Sequence, residues 1–414
     1  MLQIEIISKE TIRPSSSHPL TYQLSFIDQI IPPLFIPFIL HYPIHHPLNL
    51  SQPSISSTLK RSLSDALTLY YPLAGRPAGD YSVHCNDAGI TYLEARVHAR
   101  LSDLVGSPRV DSLSQLVPSA GGVTSGKEQL AIQVNFFADG SVSIAIGFSH
   151  RVADAATIAS FINAWATACQ GGTGPTPSFV AADLFPPKEP LGYQPRAGDP
   201  NSDTNRGLVY RRLNFGSAKL AALRAEASAS GSGSCPARPT RVELVTALIW
   251  RSLVGGEEDL VVAHMVNLRW KVDLELPENT FGNIFMPVFA SGGAGGELGT
   301  LVGKIRKAIK GINREYIESY FRENGFAERM NNIKKGKEVK IVRFSSWCRL
   351  PLYEADFGWG KPSWVSVPVL GVTNSVILMD SMEEGGIDAW VTLGEEDVKK
   401  LEEDSGLLAF ASVT

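Results

Sequence analysis

The 414-residue chain has few cysteines, no long apolar run and no marked excess of charge of either sign. Its cysteines, Cys85, Cys169, Cys235 and Cys348, stand far apart, without CxxC spacing or paired histidines nearby. That excludes a disulfide scaffold and reads as reduced thiols in a reducing compartment. No apolar run reaches the roughly 18 residues that a membrane helix needs. The greasiest early stretch, Ile30 to Leu40, is broken by Pro32, Pro33 and Pro37. The opening Met1 to Ile6 lacks the basic-then-apolar pattern of a secretory signal, and Ala411 to Thr414 matches no targeting tail. The expectation is a soluble cytoplasmic protein, which makes the sequon at Asn49 a chance match. Lys and Arg number 38 against 42 Asp and Glu, a net charge of -4, so nothing draws the chain to nucleic acid or an anionic membrane.

What is present is a globular composition, 44% hydrophobic and 19% charged, long enough for two or three domains and able to bury a core without a metal or disulfide. From Gly171 to Gly207 the chain is rich in Gly, Pro, Ser, Thr and Asp, without apolar periodicity, and reads as a crossover linker. The expected division is therefore 1–170, a linker over 171–207, and 208–414. Leu59, Leu63, Ala66 and Leu67 recur at helical spacing up to Tyr71-Pro72. Leu130 to Phe136 and Val142 to Phe148 alternate around Asp139-Gly140, which predicts a hairpin of half-buried strands. Val242 to Leu253 reads as a helix and Leu260 to Leu268 as a buried strand. Ser375 to Met379 and Ile387 to Leu393 read as an antiparallel pair. The pattern is mixed α/β, not a chain of βαβ units.

The chemistry concentrates after the hairpin, at His150-Arg151-Val152-Ala153-Asp154. His150 shares the parity of Ile144, Ile146 and Phe148, so it projects inward from a strand end. Ile158, Phe161, Ile162 and Trp165 then repeat at helical spacing, placing a strand-to-helix junction at the histidine. An imidazole held there can act as a base through one nitrogen while the other is fixed by a partner; the plainer alternative is a satisfied core histidine. Asp154 reads equally well as a helix N-cap, and a direct pair with His150 would need helix throughout the motif. Other patterns fail. Gly121 to Lys127 resembles a phosphate loop, but Glu128 replaces the metal-holding hydroxyl and a strand follows. There is no GxSxG elbow. His41, His45 and His46 lack a nearby carboxylate, so no metal is expected. Lys334 to Lys340 reads as a solvated basic run.

Two strings together resemble a known family. His150 to Asp154 fits HxxxD, and Asp356-Phe357-Gly358-Trp359-Gly360 is a complete DFGWG. In that order they resemble the plant BAHD acyl-CoA-dependent acyltransferases. Leu24-Ser25-Phe26-Ile27-Asp28, Tyr71 to Arg76, Cys85 to Asp87, Thr240 to Glu243, Asn267 to Arg269, Phe281-Gly282-Asn283 and Ser346 to Arg349 extend the likeness along nearly the whole chain. The opening Ser8 to Ser16 and the run Phe344 to Leu350 are similar to the vinorine synthase-like, acetyl-transferring branch. Thr280 to Ile284 departs at both ends from the YFGNC of the malonyl-transferring branch.

The resemblance implies an α/β, two-domain fold like chloramphenicol acetyltransferase, with mixed sheets flanked by helices and a channel between the domains. It implies that His150 deprotonates an acceptor hydroxyl that attacks an acyl-CoA thioester directly, so no Ser or Cys nucleophile is required. Asp154 would be structural and pair with Arg269. Asp356, Gly358 and Gly360 would shape a loop, and the Trp359 indole would donate to the oxyanion. Ser345, Ser346 and Trp347 would lie near the CoA pantetheine arm. The expected partners are an acyl-CoA donor, acetyl-CoA first, and a specialised-metabolite alcohol. The enzyme is expected to be a monomer with no permanently bound cofactor, no nucleic acid and no membrane. The alternatives are a bulkier aromatic acyl donor, an amine acceptor, or a non-catalytic binding homologue. A peptide-synthesis condensation domain is disfavoured by Ser149 and Ala155, which stand where that motif carries a second histidine and a glycine.

Overall fold

The computed structural model describes residues 2–17, 20–32, 34–43, 51–106, 108–118, 127–188, 207–229, 236–254, 260–271, 275–292, 296–322, 325–334, 339–368 and 372–414. They form two compact units, each discontinuous in sequence. One holds Met1–Ala197, Pro277–Ile284 and Leu350–Gly371; the other holds Gly198–Leu276, Phe285–Arg349 and Val372–Thr414.

In chain order the first unit contributes β1 (Ile4–Ile12), β2 (Leu20–Gln23), β3 (Phe35–Tyr42), β4 (Arg76–Ala78), β5 (Ser82–Cys85), β6 (Ile90–Val97), β7 (Leu130–Phe137) and β8 (Val142–Ser149). The second contributes β9 (Leu208–Phe215), β10 (Leu260–Asn267), β11 (Phe285–Gly292) and β12 (Lys340–Ser346). The chain returns to the first unit for β13 (Trp364–Ser366), and β14 (Ser375–Asp380), β15 (Ile387–Gly394) and β16 (Ser412–Val413) complete the second.

The first unit's main sheet runs β1-β6-β7-β8-β3-β13, beside a small sheet β2-β5-β4. The β7–β8 hairpin forms as its alternation predicts, with Leu130 opposite Phe148 and Phe136 opposite Val142. Gly140 supplies the turn at φ +83°, a conformation cheap only without a side chain. The expectation of half-burial is wrong, however: every residue of β7 is buried. The strand lies in the interior of the sheet, and its polar positions satisfy one another, Gln133 Nε2 donating to Asn135 Oδ1 at 2.9 Å and Asn135 Nδ2 to the Leu116 carbonyl at 2.9 Å. Helices Gln52–Leu69 and Ala155–Cys169 pack together around the fully buried Trp165, whose indole donates to the Leu59 carbonyl at 3.1 Å.

The second unit's sheet runs β11-β10-β12-β14-β15-β9-β16. Strands β10, β12 and β14 are parallel, and β14–β15 is the antiparallel pair read from the sequence. Helices Arg241–Leu253 and Leu298–Lys310 close this core around Trp250, Leu248, Val262 and Phe344.

A single cut at 171–207 misassigns two segments. DFGWG does not belong with the C-terminal unit, because β13 pairs antiparallel with β3, Trp364 opposite His41. Residues 277–284 join the first unit through a bridge between Ser178 and Thr280. Of the proposed linker, 189–206 fall outside the described residues; Ala181–Leu184 before them is helical. No helix among the described residues is long and apolar enough to cross a membrane.

Candidate functional site

The site is built at the junction that follows β8. His150 N–H donates to the Leu34 carbonyl at 2.8 Å, continuing the β3–β8 ladder by one bond. The chain turns through Val152 and Ala153, both buried, and enters the helix Ala155–Cys169. The turn brings the Ala153 carbonyl to 3.2 Å from His150 Nδ1. A carbonyl only accepts, so Nδ1 carries the proton and Nε2 keeps the lone pair. Burial pushes the His150 imidazole below the ordinary histidine value, against the upward pull of Asp154 and of hydrogen bonding. The ring is therefore neutral at physiological pH, as a general base must be.

Asp154 is the N-cap of that helix. Its Oδ1 accepts from Thr157 N–H at 2.9 Å, and its Oδ2 accepts from Ile284 N–H at 3.0 Å. The returning segment 277–284 is thus fastened to the helix start. Thr157 Oγ1 donates to the Gly282 carbonyl at 2.9 Å, and Phe281 is fully buried with its N–H on the Ser178 carbonyl. Gly282 sits at φ +114°, and a Cβ there would lie 3.0 Å from the Tyr22 hydroxyl oxygen.

Asn283 follows, completely buried. Its Nδ2 donates to the His150 carbonyl at 2.8 Å and to Asp28 Oδ1 at 2.8 Å, and its backbone N–H reaches the same oxygen at 2.8 Å. Asp28 Oδ2 takes Ser25 N–H at 2.9 Å and Ser25 Oγ at 2.7 Å, the capping box of helix Phe26–Ile30. Burial drives the Asp28 carboxyl up to about 6, and its hydrogen bonds pull against that.

The DFGWG segment forms a tight loop. Asp356 Oδ1 accepts from Gly358 N–H at 2.8 Å and Gly360 N–H at 2.9 Å, with the two glycines at φ +100° and +106°. Phe357 inserts among Tyr42, Trp165 and Trp359, and Gln170 Nε2 holds the Asp356 carbonyl at 2.6 Å. These contacts overturn the assignment of Trp359 to the oxyanion. The loop is fixed at the C-terminal end of the 15-residue helix Ala155–Cys169, whereas His150 precedes its N-terminus, a span of about 22 Å. Along β3 the separation is the same: Tyr42 touches Trp359 at one end, and His150 binds Leu34 beyond the other, about 25 Å away. The Trp359 Nε1 is buried without a hydrogen-bond partner among the described residues.

In the second unit, Ser345 and Ser346 end β12, and Trp347 N–H donates to the Leu378 carbonyl at 2.7 Å. They lie at the carboxyl end of the parallel strands β10, β12 and β14, where α/β sheets bind ligands. Arg269, also in this unit, is buried just past β10, its N–H on Asn267 Oδ1 at 3.0 Å. His41 is no ligand or base: its two nitrogens meet Ser143 Oγ and Ser366 Oγ, each at 2.8 Å, and burial drops its imidazole to about 3. His45, His46 and residues 121–126 lie outside the described residues. No cluster of metal-ligating side chains occurs among the described residues. Sequence reasoning gave Asp28, Thr157 and Asn283 no role at the site. The signal available was the Ser25-x-x-Asp28 cap pattern and the Phe281-Gly282-Asn283 string, whose partners are distant in sequence.

Comparison with known proteins gives a coherent result. The family model described as the transferase family matches residues 2–408. A limonoid 1-O-acetyltransferase of Citrus sinensis is 36% identical over 100% of this chain and 99% of its own. A stemmadenine O-acetyltransferase of Catharanthus roseus is 34% identical over 97% of each chain. The crystal structure of vinorine synthase superposes with a TM-score of 0.85 at 33% identity, covering 99% of both chains.

Proposed function

Since this chain belongs to the transferase family of BAHD acyltransferases and is an acyl-CoA-dependent O-acyltransferase, we propose that it transfers acetyl from acetyl-CoA to a hydroxyl of a bulky plant alcohol, with His150 as the base. The relatives' names, acetyltransferases of limonoids and of stemmadenine, support the donor and the acceptor class. The observation that carries the mechanism is the Nδ1–H bond to Ala153, which puts the lone pair of the His150 ring on Nε2. Nε2 takes the proton of the acceptor hydroxyl as its oxygen forms a bond to the thioester carbonyl carbon. The tetrahedral intermediate then expels the CoA thiolate with cleavage of the C–S bond, and the proton on Nε2 passes to the departing sulfur. No acyl-enzyme forms. Asp154 caps the helix behind the base, and Asp356, Gly358 and Gly360 shape a remote loop. Ser345, Ser346 and Trp347 contact the pantetheine arm. The protein acts as a cytoplasmic monomer.

The test incubates the purified protein with acetyl-, malonyl-, benzoyl- and coumaroyl-CoA against a panel of limonoid, alkaloid and volatile alcohols, following thiol release and product mass. Acceptor-dependent thiol with an acetate ester, abolished in His150→Ala at unchanged melting temperature, is expected. Ester formation at wild-type rate in that variant defeats the mechanism; thiol release only from another donor defeats the acetyl assignment.

A further inference from the structure

Asp28 is a buried carboxylate against which no cation stands among the described residues. It is held instead by four donors, two from Ser25 and two from Asn283. A carboxylate only accepts, so it dictates which way the Asn283 amide lies: Nδ2 toward Asp28 and the His150 carbonyl, Oδ1 on the other side. That Oδ1 is buried and has no hydrogen-bond partner among the described residues, a costly state for a carbonyl oxygen. We infer that Asn283, locked by Asp28, is the positioning residue of the base: its Nδ2 fixes the His150 backbone, and its Oδ1 receives the ring Nδ1–H as the imidazole becomes imidazolium.

Two observations support this role for Oδ1. The Nδ1–H bond to Ala153 is long, at 3.2 Å, which leaves room for a second acceptor. The Asn283 side chain also acts to favour the charged imidazole; of its two polar atoms only Oδ1, an acceptor, stabilises a cation. A neutral amide suits a base that must release its proton in the same turnover. A carboxylate in its place would hold the imidazolium more tightly and slow return of the proton to the thiolate. The inference rests on the acyltransfer reading for its catalytic meaning, but the geometry it asserts is measurable without turnover.

The experiment uses the full-length protein with ¹⁵N-labelled histidine side chains, the His150 signals assigned by their loss in His150→Ala. Wild type is expected to show the Nδ1–H tautomer. Asp28→Asn, which frees the Asn283 amide to flip, is expected to mix the tautomers, and Asn283→Ala to lower the imidazole pKa further. With acetyl-CoA and an accepted alcohol, both variants are expected to lose about 10–100-fold in kcat, with KM for acetyl-CoA little changed. An Nε2–H tautomer in wild type overturns the inference, as do an unchanged tautomer and pKa in a folded variant. If the variants shift the ring as expected while wild type acetylates nothing, the inference stands and the functional reading fails.

Discussion

At the residue scale, the contrast that matters is between two buried titratable groups joined through Asn283, a histidine kept neutral and a carboxylate kept charged at a cost. Burial lowers His150 and raises Asp28 to about 6, so both lose protons before neutrality and the active state is complete above that value. The rate is therefore expected to rise with pH and level off above about 6.5. The stability consequence of Asp28 has the opposite sense. Its folded value of about 6 exceeds the ordinary carboxyl value of 3.8, so the folded state binds more protons and stability is lost as pH rises through that window. The difference amounts to about 3 kcal/mol at neutral pH. Asp28→Asn has no such titration. Its stability relative to wild type is expected to improve by about that amount between pH 4 and pH 7, read from denaturant unfolding at each pH. A pH-independent difference would show that Asp28 does not titrate in this range.

At the element scale, the HxxxD and DFGWG strings do different work at the two ends of one helix. Asp154 caps its N-terminus and ties Ile284 to it. Asp154→Ala is expected to cost about 1–3 kcal/mol through the lost cap and an unpaired Ile284 N–H, with a lower melting temperature. Asp154→Asn should recover part of that, and an unchanged melting temperature with abolished transfer would point to a direct chemical role. At the C-terminal end, Phe357 and Trp359 complete an aromatic cluster with Tyr42 and Trp165. Trp359→Phe is expected to keep kcat within about twofold while lowering the melting temperature slightly, since it trims packing far from the base. A hundredfold loss of kcat at full stability would return Trp359 to the reaction.

At the scale of the whole molecule, the first unit is completed by two segments borrowed from the second half of the chain, and one of them reaches the base. Gly282 is the tightest point of that segment, at φ +114° with Tyr22 and Asp28 close by. Gly282→Ala is expected to cost about 1–3 kcal/mol through backbone strain and to reduce acetyl transfer by displacing Asn283; full activity with full stability would mean the segment tolerates a Cβ.

Residue order alone determined the hairpin, the strand-to-helix junction at His150 and the β14–β15 pair, because period-2 alternation, a turn glycine and helical spacing are local properties. It also carried the two family strings and, through the cap pattern, the plain role of Asp154. Tertiary structure decided the rest. The burial of β7 on both faces depends on what the closed chain packs over the sheet, and the membership of DFGWG depends on β13 finding β3. The remoteness of Trp359 follows from a helix and a strand that hold it and His150 at opposite ends. The partnership of Asp28 with Asn283, 255 residues apart, leaves no local pattern, because its parts meet only once the chain has closed around the base.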